Sequence, residues 1–290
     1  MSAATSQTPH VLLAGGPDRS GIVAAITGLI AQSGCSIIES HHFSDPDADR
    51  FYTRTVFVRP EGPALDVNSF RREFSPIAQQ FDMVWSMHDL TERPRVLIAV
   101  SKIGHCLFDL LHRWRSGLLK VEIVGVVSNH EDMRSFVEWN GLPYHFLSVD
   151  KADKFAQESR FLTLCEALRV DLVVLARYMQ ILSPALCEAL AGRCINIHHS
   201  FLPSFKGARP YHQAHARGVK LIGATAHFVT TDLDEGPIIE QGVERVSHAQ
   251  SAEDLVTIGR DIECAVLARA VAWQAEHRLV RHGHRVVVFK

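Results

Sequence analysis

The sequence has little net charge and no long apolar segment, and both absences restrict the class of protein. Its 290 residues carry 30 Lys and Arg against 32 Asp and Glu, a formal net charge of −2. Such a chain lacks the basic field of a nucleic-acid-binding protein. No apolar run reaches the length of about 20 residues that spans a bilayer, and Met1–Pro9 lacks the basic-then-apolar pattern of an export signal. We therefore expect a cytoplasmic protein with no nucleic-acid or membrane partner.

The cysteines also lack the spacing of a metal site. None forms a Cys-x-x-Cys pair, and most lie in apolar surroundings. The six residues are Cys35, Cys106, Cys165, Cys187, Cys194 and Cys264. Free thiols in the core of a protein from a reducing compartment are the expected state. We therefore predict no metal ion. With 17 histidines in the chain, chance clusters are expected, and no single cluster is evidence of a metal site.

What the sequence does contain is a series of elements in the order β-α-β-β-α-β near its start. Apolar patterning predicts strands at 10–16, 36–44, 51–59 and 83–89, and helices at 21–33 and 67–79. This order within about 80 residues is the ferredoxin-like split unit. A chain of 290 residues is long enough for two domains. We place the boundary at the polar linker Thr91–Pro94, so the first domain covers residues 10–90.

The first turn of this domain carries the phrase Gly16–Val23, which resembles the opening of an ACT domain. The resemblance implies that a small amino acid, glycine or methionine, binds where the first strand meets the first helix. Its contacts would be Asp18, Arg19, Ser20, Gly21 and Ile22. A helix N-terminus can hold a carboxylate, and Asp18 or Ser20 can cap the helix. The other interpretation, equally open, is that the turn only packs the helix and the domain pairs chains into a dimer or tetramer.

Residues 95–290 alternate strands and helices. Strands are predicted at 95–100, 120–127, 144–147, 172–176, 221–229, 238–246 and 285–289. The helices predicted between them include 106–116, 131–140, 151–168 and 251–277. This alternation is typical of a doubly wound sheet. The fold class is therefore α/β, with a ferredoxin-like domain followed by a Rossmann-like domain whose sheet is mostly parallel.

Polar side chains end two apolar runs in this second domain. Asn196 and His198 are two apart on a predicted strand and so point to the same face. Asp234 follows the run that ends at Val229. Asn can donate to a developing oxyanion, His can donate or move a proton, and Asp can orient the imidazole or take a proton from water. The three suit attack on a carbonyl by water or an amine; ordinary capping of buried strand ends is the alternative.

These residues form part of a longer series that resembles the folate-dependent formyltransferase family. The series is Asn196-x-His198, Ser200-x-Leu202-Pro203, Gly207, His227 and Asp234-x-Gly236-Pro237. The resemblance covers roughly residues 95–290. It implies that Asn196, His198 and Asp234 handle the formyl group of 10-formyltetrahydrofolate without a metal or other cofactor. It also implies a pterin slot lined by Met179, Gln180, Ile181 and Leu182. The alternative is that Met179, Ile181 and Leu182 are simply core residues.

Three segments, 198–200 (His-His-Ser), 207–213 (Gly-Ala-Arg-Pro-Tyr-His-Gln) and 234–239 (Asp-Glu-Gly-Pro-Ile-Ile), most resemble the hydrolytic branch of that family. That branch gives the formyl group to water and releases tetrahydrofolate and formate. Such an enzyme supplies formate for purine biosynthesis and balances the one-carbon folate pool. Transferases that use glycinamide ribonucleotide carry a Gly- and Ser-rich loop that cradles the substrate phosphate. Ser101–His105, at that position, has one glycine and two bulky side chains. Transfer to an amine stays the alternative, as does an amino-acid sensor that has lost activity.

His199, next to His198, is expected to have a structural role. His199 stands where transferases of the family usually have proline. If the strand continues past His198, His199 points to the opposite face. We therefore predict that it has a structural rather than a catalytic role.

Overall fold

The computed structural model describes residues 8–149, 154–202 and 210–290. Its contacts divide the chain into two compact units. The first consists of Met1–Glu92, Glu276–Val280 and Val287–Lys290, and the second of Arg93–Ala275 and Arg281–Val286. The domain ranges 10–90 and 95–290 remain predictions, since this division places two C-terminal segments in the first unit.

The first unit contains the predicted β-α-β-β-α-β order. Its elements are β1 (His10–Pro17), α1 (Ile22–Gln32), β2 (Ser36–Asp45), β3 (Arg50–Val58), α2 (Val67–Gln80) and β4 (Val84–Asp89). The strands pair antiparallel in the order β2-β3-β1-β4. Helical spacing places Ile26 and Ile30 of α1 in the core together with Phe57, Phe70 and Phe74. The ferredoxin-like fold of this unit is confirmed.

Helix α1 begins differently from the prediction. Its N-cap is Gly21, which has a left-handed φ of 95° and makes no side-chain capping bond. Asp18 instead accepts a hydrogen bond from the Ser44 hydroxyl. The prediction that Asp18 or Ser20 caps the helix was therefore wrong. A left-handed residue before the first turn is unfavourable for most side chains, and glycine adopts it at no steric cost.

A buried arginine ties the end of the chain into the first unit. Arg54 of β3 is 2% exposed. Its Nε donates to the carbonyl oxygen of His277 and its Nη2 to that of Glu276, both at 3.0 Å. Its Nη1 lies 2.6 Å from Glu39 Oε1. The His277 ring stacks on His88 with 3.8 Å between centroids. A buried guanidinium is stable only when its donors are satisfied, so this unit depends on residues nearly 200 positions beyond its last predicted strand.

The second unit is built on one seven-stranded sheet. Its first elements are β5 (Arg95–Val100), α3 (His105–Arg115), β6 (Glu122–Ser128), α4 (Arg134–Trp139), β7 (Tyr144–Phe146), α5 (Lys154–Ala167) and β8 (Leu172–Leu175). Those that follow are α6 (Pro184–Ala189), β9 (Cys194–His198), α7 (Pro210–Ala216), β10 (Leu221–Phe228), β11 (Ile238–Arg245) and α8 (Ala252–Ala275). The strand order is β11-β10-β9-β8-β5-β6-β7. Strands β5 to β9 pair parallel, and β10 and β11 antiparallel. The mostly parallel Rossmann-like sheet is confirmed.

Two features of the C-terminal part bear on the predictions. Helix α8 begins with a reciprocal cap, since Asp254 N–H donates to the Ser251 hydroxyl and Ser251 N–H donates to the Asp254 carboxylate. The strand predicted at 285–289 is β13 (Arg285–Val288), which pairs with the unpredicted β12 (Leu279–His282) in a separate sheet. Across the described residues, no helix combines the length and apolarity needed to cross a bilayer.

Candidate active site

A cavity of about 620 Å³ in the second unit lies where strands β8, β9 and β10 meet the loops that follow them. All seven residues predicted for the reaction and the pterin slot line it: Asn196, His198, Asp234, Met179, Gln180, Ile181 and Leu182. A pocket of this size suits a small organic ligand. The sheet therefore brings together residues that are far apart in the chain.

Asn196 is oriented by a histidine on the neighbouring strand. In the antiparallel pair β9–β10, Asn196 lies opposite His227, so their side chains share one face. His227 Nδ1 lies 2.9 Å from the carbonyl oxygen of Phe228 and must donate to it. Burial lowers the pKa of His227, so its Nε2 is an acceptor. Asn196 Nδ2, 3.2 Å away, donates to it and keeps a second N–H for a ligand.

His198 pairs with Asp234 across the cavity. His198 Nδ1 lies 3.2 Å from Asp234 Oδ1, and His227 Nε2 lies 3.9 Å from the same oxygen. Burial acts to raise the pKa of Asp234, but the hydrogen bond and the electrostatic attraction of His198 outweigh it, so the pKa lies below its ordinary value. Asp234 is therefore a carboxylate near neutral pH. His198 Nε2 is buried without a hydrogen-bond partner among the described residues.

The turn that carries Asp234 is tightly constrained. Asp234 has a left-handed φ of 58°, which Asp and Asn tolerate better than most residues. At Gly236, an added Cβ would lie 1.8 Å from the carbonyl oxygen of Phe228. Only glycine allows this close approach of two backbone segments. The Asp-x-Gly-Pro motif thus fixes where the carboxylate sits relative to the end of β10.

The segment Met179–Leu182 is open to the cavity rather than packed as core. Met179 is 56% exposed and Ile181 62% exposed. Met179 N–H donates to the Ser101 hydroxyl at 3.0 Å, which holds the start of the segment. Apolar side chains left exposed beside a cavity are typical of a ligand-binding wall. The alternative that Met179 and Ile181 are ordinary core residues is wrong, whereas Leu182 packs partly against the core cluster.

The geometry expected for His199 was also wrong. Strand β9 ends at His198, so the alternation of faces stops there, and His199 lines the same cavity. The two rings lie 5.2 Å apart between centroids. Burial and the neighbouring charges of Arg177 and His198 lower the pKa of His199 to about 4. This ring is therefore uncharged at neutral pH.

Sequence reasoning missed a buried polar cluster on the same cavity. The carboxylate of Glu263, 1% exposed on α8, accepts hydrogen bonds from His105 Nε2 at 2.8 Å and from the Tyr211 hydroxyl at 2.9 Å. Arg177 Nε lies 3.5 Å from Glu263 Oε2. A visible signal was a charged residue inside the apolar stretch Ile262–Leu267, because a buried charge needs partners.

Two thiols lie next to this cluster. His105, Cys106 and Cys264 can bring one ligand atom each to within 4.8 Å of the others. The hydrogen bond with Cys264, together with burial, raises the pKa of Cys106. A thiol that stays protonated is a poor metal ligand. The expectation that the chain needs no metal remains a prediction.

The residues predicted to bind an amino acid lie at the start of α1. Asp18, Arg19, Ser20 and Gly21 are exposed, whereas Ile22 is 2% exposed and belongs to the core. Arg19 Nη1 donates to the carbonyl oxygen of Gln80 at 3.2 Å. A cavity of about 410 Å³ in this unit is lined by α1 and α2 and by none of the five. Because the Ile22 side chain is buried, only the backbone of this residue can contact a ligand.

Comparison with known proteins agrees with both parts of the chain. The sequence profile described as formyl transferase matches residues 94–271, and the ACT domain profile matches residues 10–74. A protein of Corynebacterium sp. (strain P-1) named formyltetrahydrofolate deformylase is 48% identical over 286 residues, which cover 99% of this chain and 100% of that protein.

Solved structures give the same relationship. The crystal structure of a formyltetrahydrofolate deformylase from Burkholderia mallei superposes with a TM-score of 0.92 at 53% identity, covering 98% of this chain and 100% of that one. A glycinamide ribonucleotide transformylase from Symbiobacterium toebii gives a TM-score of 0.64 at 32% identity over 68% of this chain and 95% of that one. The match to the transformylase therefore covers only about two thirds of this chain. The chain belongs to the formyl transferase family and, within it, to the formyltetrahydrofolate deformylases.

Proposed function

We propose that this chain hydrolyses 10-formyltetrahydrofolate to tetrahydrofolate and formate. The observation that carries the proposal is the meeting of Asn196, His198 and Asp234 in one cavity beside the exposed segment Met179–Leu182. An apolar slot with polar groups at its edge suits a flat heterocycle. The three polar side chains then lie at the end of the slot where the formyl group would be.

In the first step, water attacks the formyl carbon. The free N–H of Asn196 and the Nε2–H of protonated His198 donate to the formyl oxygen as it becomes an oxyanion. Asp234 orients the water and accepts one of its protons. The carboxylate is suited to this role because it is ionised and already lies 3.2 Å from the imidazole it supports.

In the second step, the tetrahedral intermediate collapses. The C–N bond breaks, and the leaving nitrogen takes a proton from His198 Nε2. The proton held by Asp234 then returns to the imidazole, and the formic acid product gives its own proton to solvent. No electron is transferred, and the three side chains end in their starting states. We therefore propose that no metal or organic cofactor is needed.

A single assay tests this reaction. Purified protein incubated with 10-formyltetrahydrofolate alone is expected to release formate and tetrahydrofolate in equal amounts. Treatment with a zinc chelator is expected to leave the rate unchanged. Formate release that stops with the chelator and returns with added zinc would contradict the cofactor-free mechanism and point to His105, Cys106 and Cys264.

The runner-up function is formyl transfer to an amine such as glycinamide ribonucleotide. Bulky Ile103 on the cavity wall, where transferases use small residues, disfavours a phosphorylated acceptor. Addition of glycinamide ribonucleotide to the same assay is expected to change neither the rate nor the products. A formylated amine formed in place of formate would establish the alternative.

We also propose that glycine or methionine binds the ACT domain at Asp18, Arg19, Ser20, Gly21 and Ile22. The support is that α1 begins at the left-handed Gly21 with no side-chain cap, so its first backbone N–H groups receive no capping side chain. Calorimetric titration with each amino acid is expected to give heat with at least one of them. Gly21→Val, which opposes the left-handed backbone, is expected to abolish it. Absence of heat with both amino acids in the unaltered protein would refute the site.

The remaining proposals concern assembly and context. ACT domains commonly pair, so we propose a homo-oligomer, a dimer or tetramer, whose mass light scattering would give. We place its work in the cytoplasm. The formate it releases would supply purine biosynthesis and balance the one-carbon pool, so isotope from the formyl carbon would appear in purines.

A further inference from the structure

The side chain of Arg177 lines the cavity and has unsatisfied hydrogen-bond donors. It follows β8, is 11% exposed, and lines the cavity wall. Its Nε and Nη1 are buried and make no hydrogen bond with any described residue. Its backbone has a left-handed φ of 64°, a conformation that costs free energy for a non-glycine residue. A strained residue that carries unsatisfied buried donors indicates a position kept for a ligand.

Glu263 holds this guanidinium without satisfying it. The distance of 3.5 Å between Arg177 Nε and Glu263 Oε2 is an ion pair but not a good hydrogen bond. The Glu263 carboxylate instead accepts its hydrogen bonds from His105 and Tyr211. Burial acts to raise the pKa of Glu263, but the His105 hydrogen bond and the Arg177 charge outweigh it and lower the pKa. The carboxylate is therefore charged and attracts Arg177, while the N–H groups of Arg177 remain available.

Acidic side chains line the cavity, so a small anion can bind there only if a cation attracts it. Among the described residues that line it, the acidic ones are Asp232, Asp234 and Glu263 and the cations are Arg177 and Arg260. Arg260 is exposed, so solvent screens its charge. His199 is uncharged at neutral pH. Arg177, with its side chain 11% exposed, is thus the one permanently charged donor among these described lining residues that is largely shielded from solvent.

We propose that Arg177, positioned by Glu263, forms a carboxylate subsite that binds formate, the small monoanionic product. This inference rests on the proposed hydrolysis. In that reaction water oxygen bonds to the formyl carbon, the carbon–nitrogen bond breaks, nitrogen keeps one proton, and formic acid loses another to solvent. The new anion is formed in a cavity that contains Asp234. The Asp234 carboxylate repels formate, and charge-assisted N–H···O bonds from the guanidinium of Arg177 offset that repulsion.

Formate binding to the full protein tests the subsite directly. We would measure it in two ways: by formate inhibition of hydrolysis, and by line broadening of 13C-formate in the absence of folate. Arg177→Met is expected to weaken formate binding about 10- to 100-fold, the usual worth of hydrogen bonds to a charged partner. Arg260→Met, a matched removal of a cation from the same cavity, is expected to leave formate affinity unchanged. Equal weakening in both variants would overturn the subsite.

A second variant separates this role from a structural one. Glu263→Gln removes the negative charge that attracts Arg177 but keeps a side chain of the same shape. Formate is expected to bind about 3- to 10-fold more tightly, because the guanidinium loses its competing anion. A purely structural role for the cluster predicts weaker binding in both Arg177→Met and Glu263→Gln, and that outcome would refute the proposal.

The test also separates this inference from the hydrolase proposal. Arg177-dependent broadening of 13C-formate without any hydrolysis would leave the subsite standing and remove the proposed reaction. Hydrolysis by a protein that neither broadens 13C-formate nor is inhibited by formate would do the reverse.

Discussion

Asp234→Asn is expected to lower kcat by about 10³- to 10⁴-fold, near the upper range for loss of a general base. The amide cannot accept a proton from water, and it cannot balance a charged His198. The fold should survive, because Asn tolerates the left-handed φ of 58° found at this position. Steady-state hydrolysis and circular dichroism together would measure both effects.

The matched control is Asp232→Asn, two residues earlier. Asp232 also lines the cavity but is exposed and makes no side-chain bond with His198 or His227 among the described contacts. Its kcat is expected to stay within about 3-fold of the unaltered protein, as for most exposed substitutions away from the chemistry. Near-normal turnover in Asp234→Asn would eliminate the carboxylate from the mechanism.

His198→Gln is expected to lower kcat by about 10²- to 10⁴-fold. Gln can keep one N–H for the oxyanion, but it can neither carry a proton to the leaving nitrogen nor form an ion pair with Asp234. The loss should fall on kcat more than on KM, because the interaction strengthens as charge develops. Rates measured over a range of substrate concentrations would separate the two constants.

His212→Gln provides the comparison for this variant. His212 lines the same cavity from α7 and has no assigned role, so its kcat is expected to change by no more than about 3-fold. If both histidine variants lost activity equally, the damage would lie in the cavity wall rather than in proton transfer. A rise in KM alone for His198→Gln would likewise contradict the assignment.

The fold was predictable from the sequence because apolar periodicity and turn residues agree locally over most of the chain. Strand β5, for example, has the predicted bounds, Arg95–Val100. The two failures have different causes. Strand β12 has only four residues, Leu279–His282, and they do not alternate apolar with polar, so no strand pattern marks them. The cap of α1 failed because Asp18, a favoured capping residue, bonds Ser44 instead.

The candidate site, like the fold, was only partly predictable from the sequence. Asn196 and His198 share a strand face, so period-two alternation and a family resemblance were sufficient to pair them with Asp234. His227 was seen as part of a motif, but its role in orienting Asn196 required the β9–β10 register. The cluster of His105, Arg177, Tyr211 and Glu263 joins four segments that no local pattern relates. Burial of a charge on α8 was visible in principle, whereas the identity of its partners was not.

The buried guanidinium of Arg54 has a practical consequence for dissecting this protein. A fragment cut at the linker after Glu92 would keep all four strands and both helices of the ferredoxin-like fold. It would lose the two main-chain oxygens, at Glu276 and His277, that Arg54 requires. Nη1 of Arg54 would keep Glu39 as its partner, but the buried Nε and Nη2 donors would be left unsatisfied, at a cost of about 1–3 kcal/mol each. An isolated regulatory fragment should therefore be made by fusing the last fifteen residues back onto it, or by replacing Arg54 with an apolar side chain.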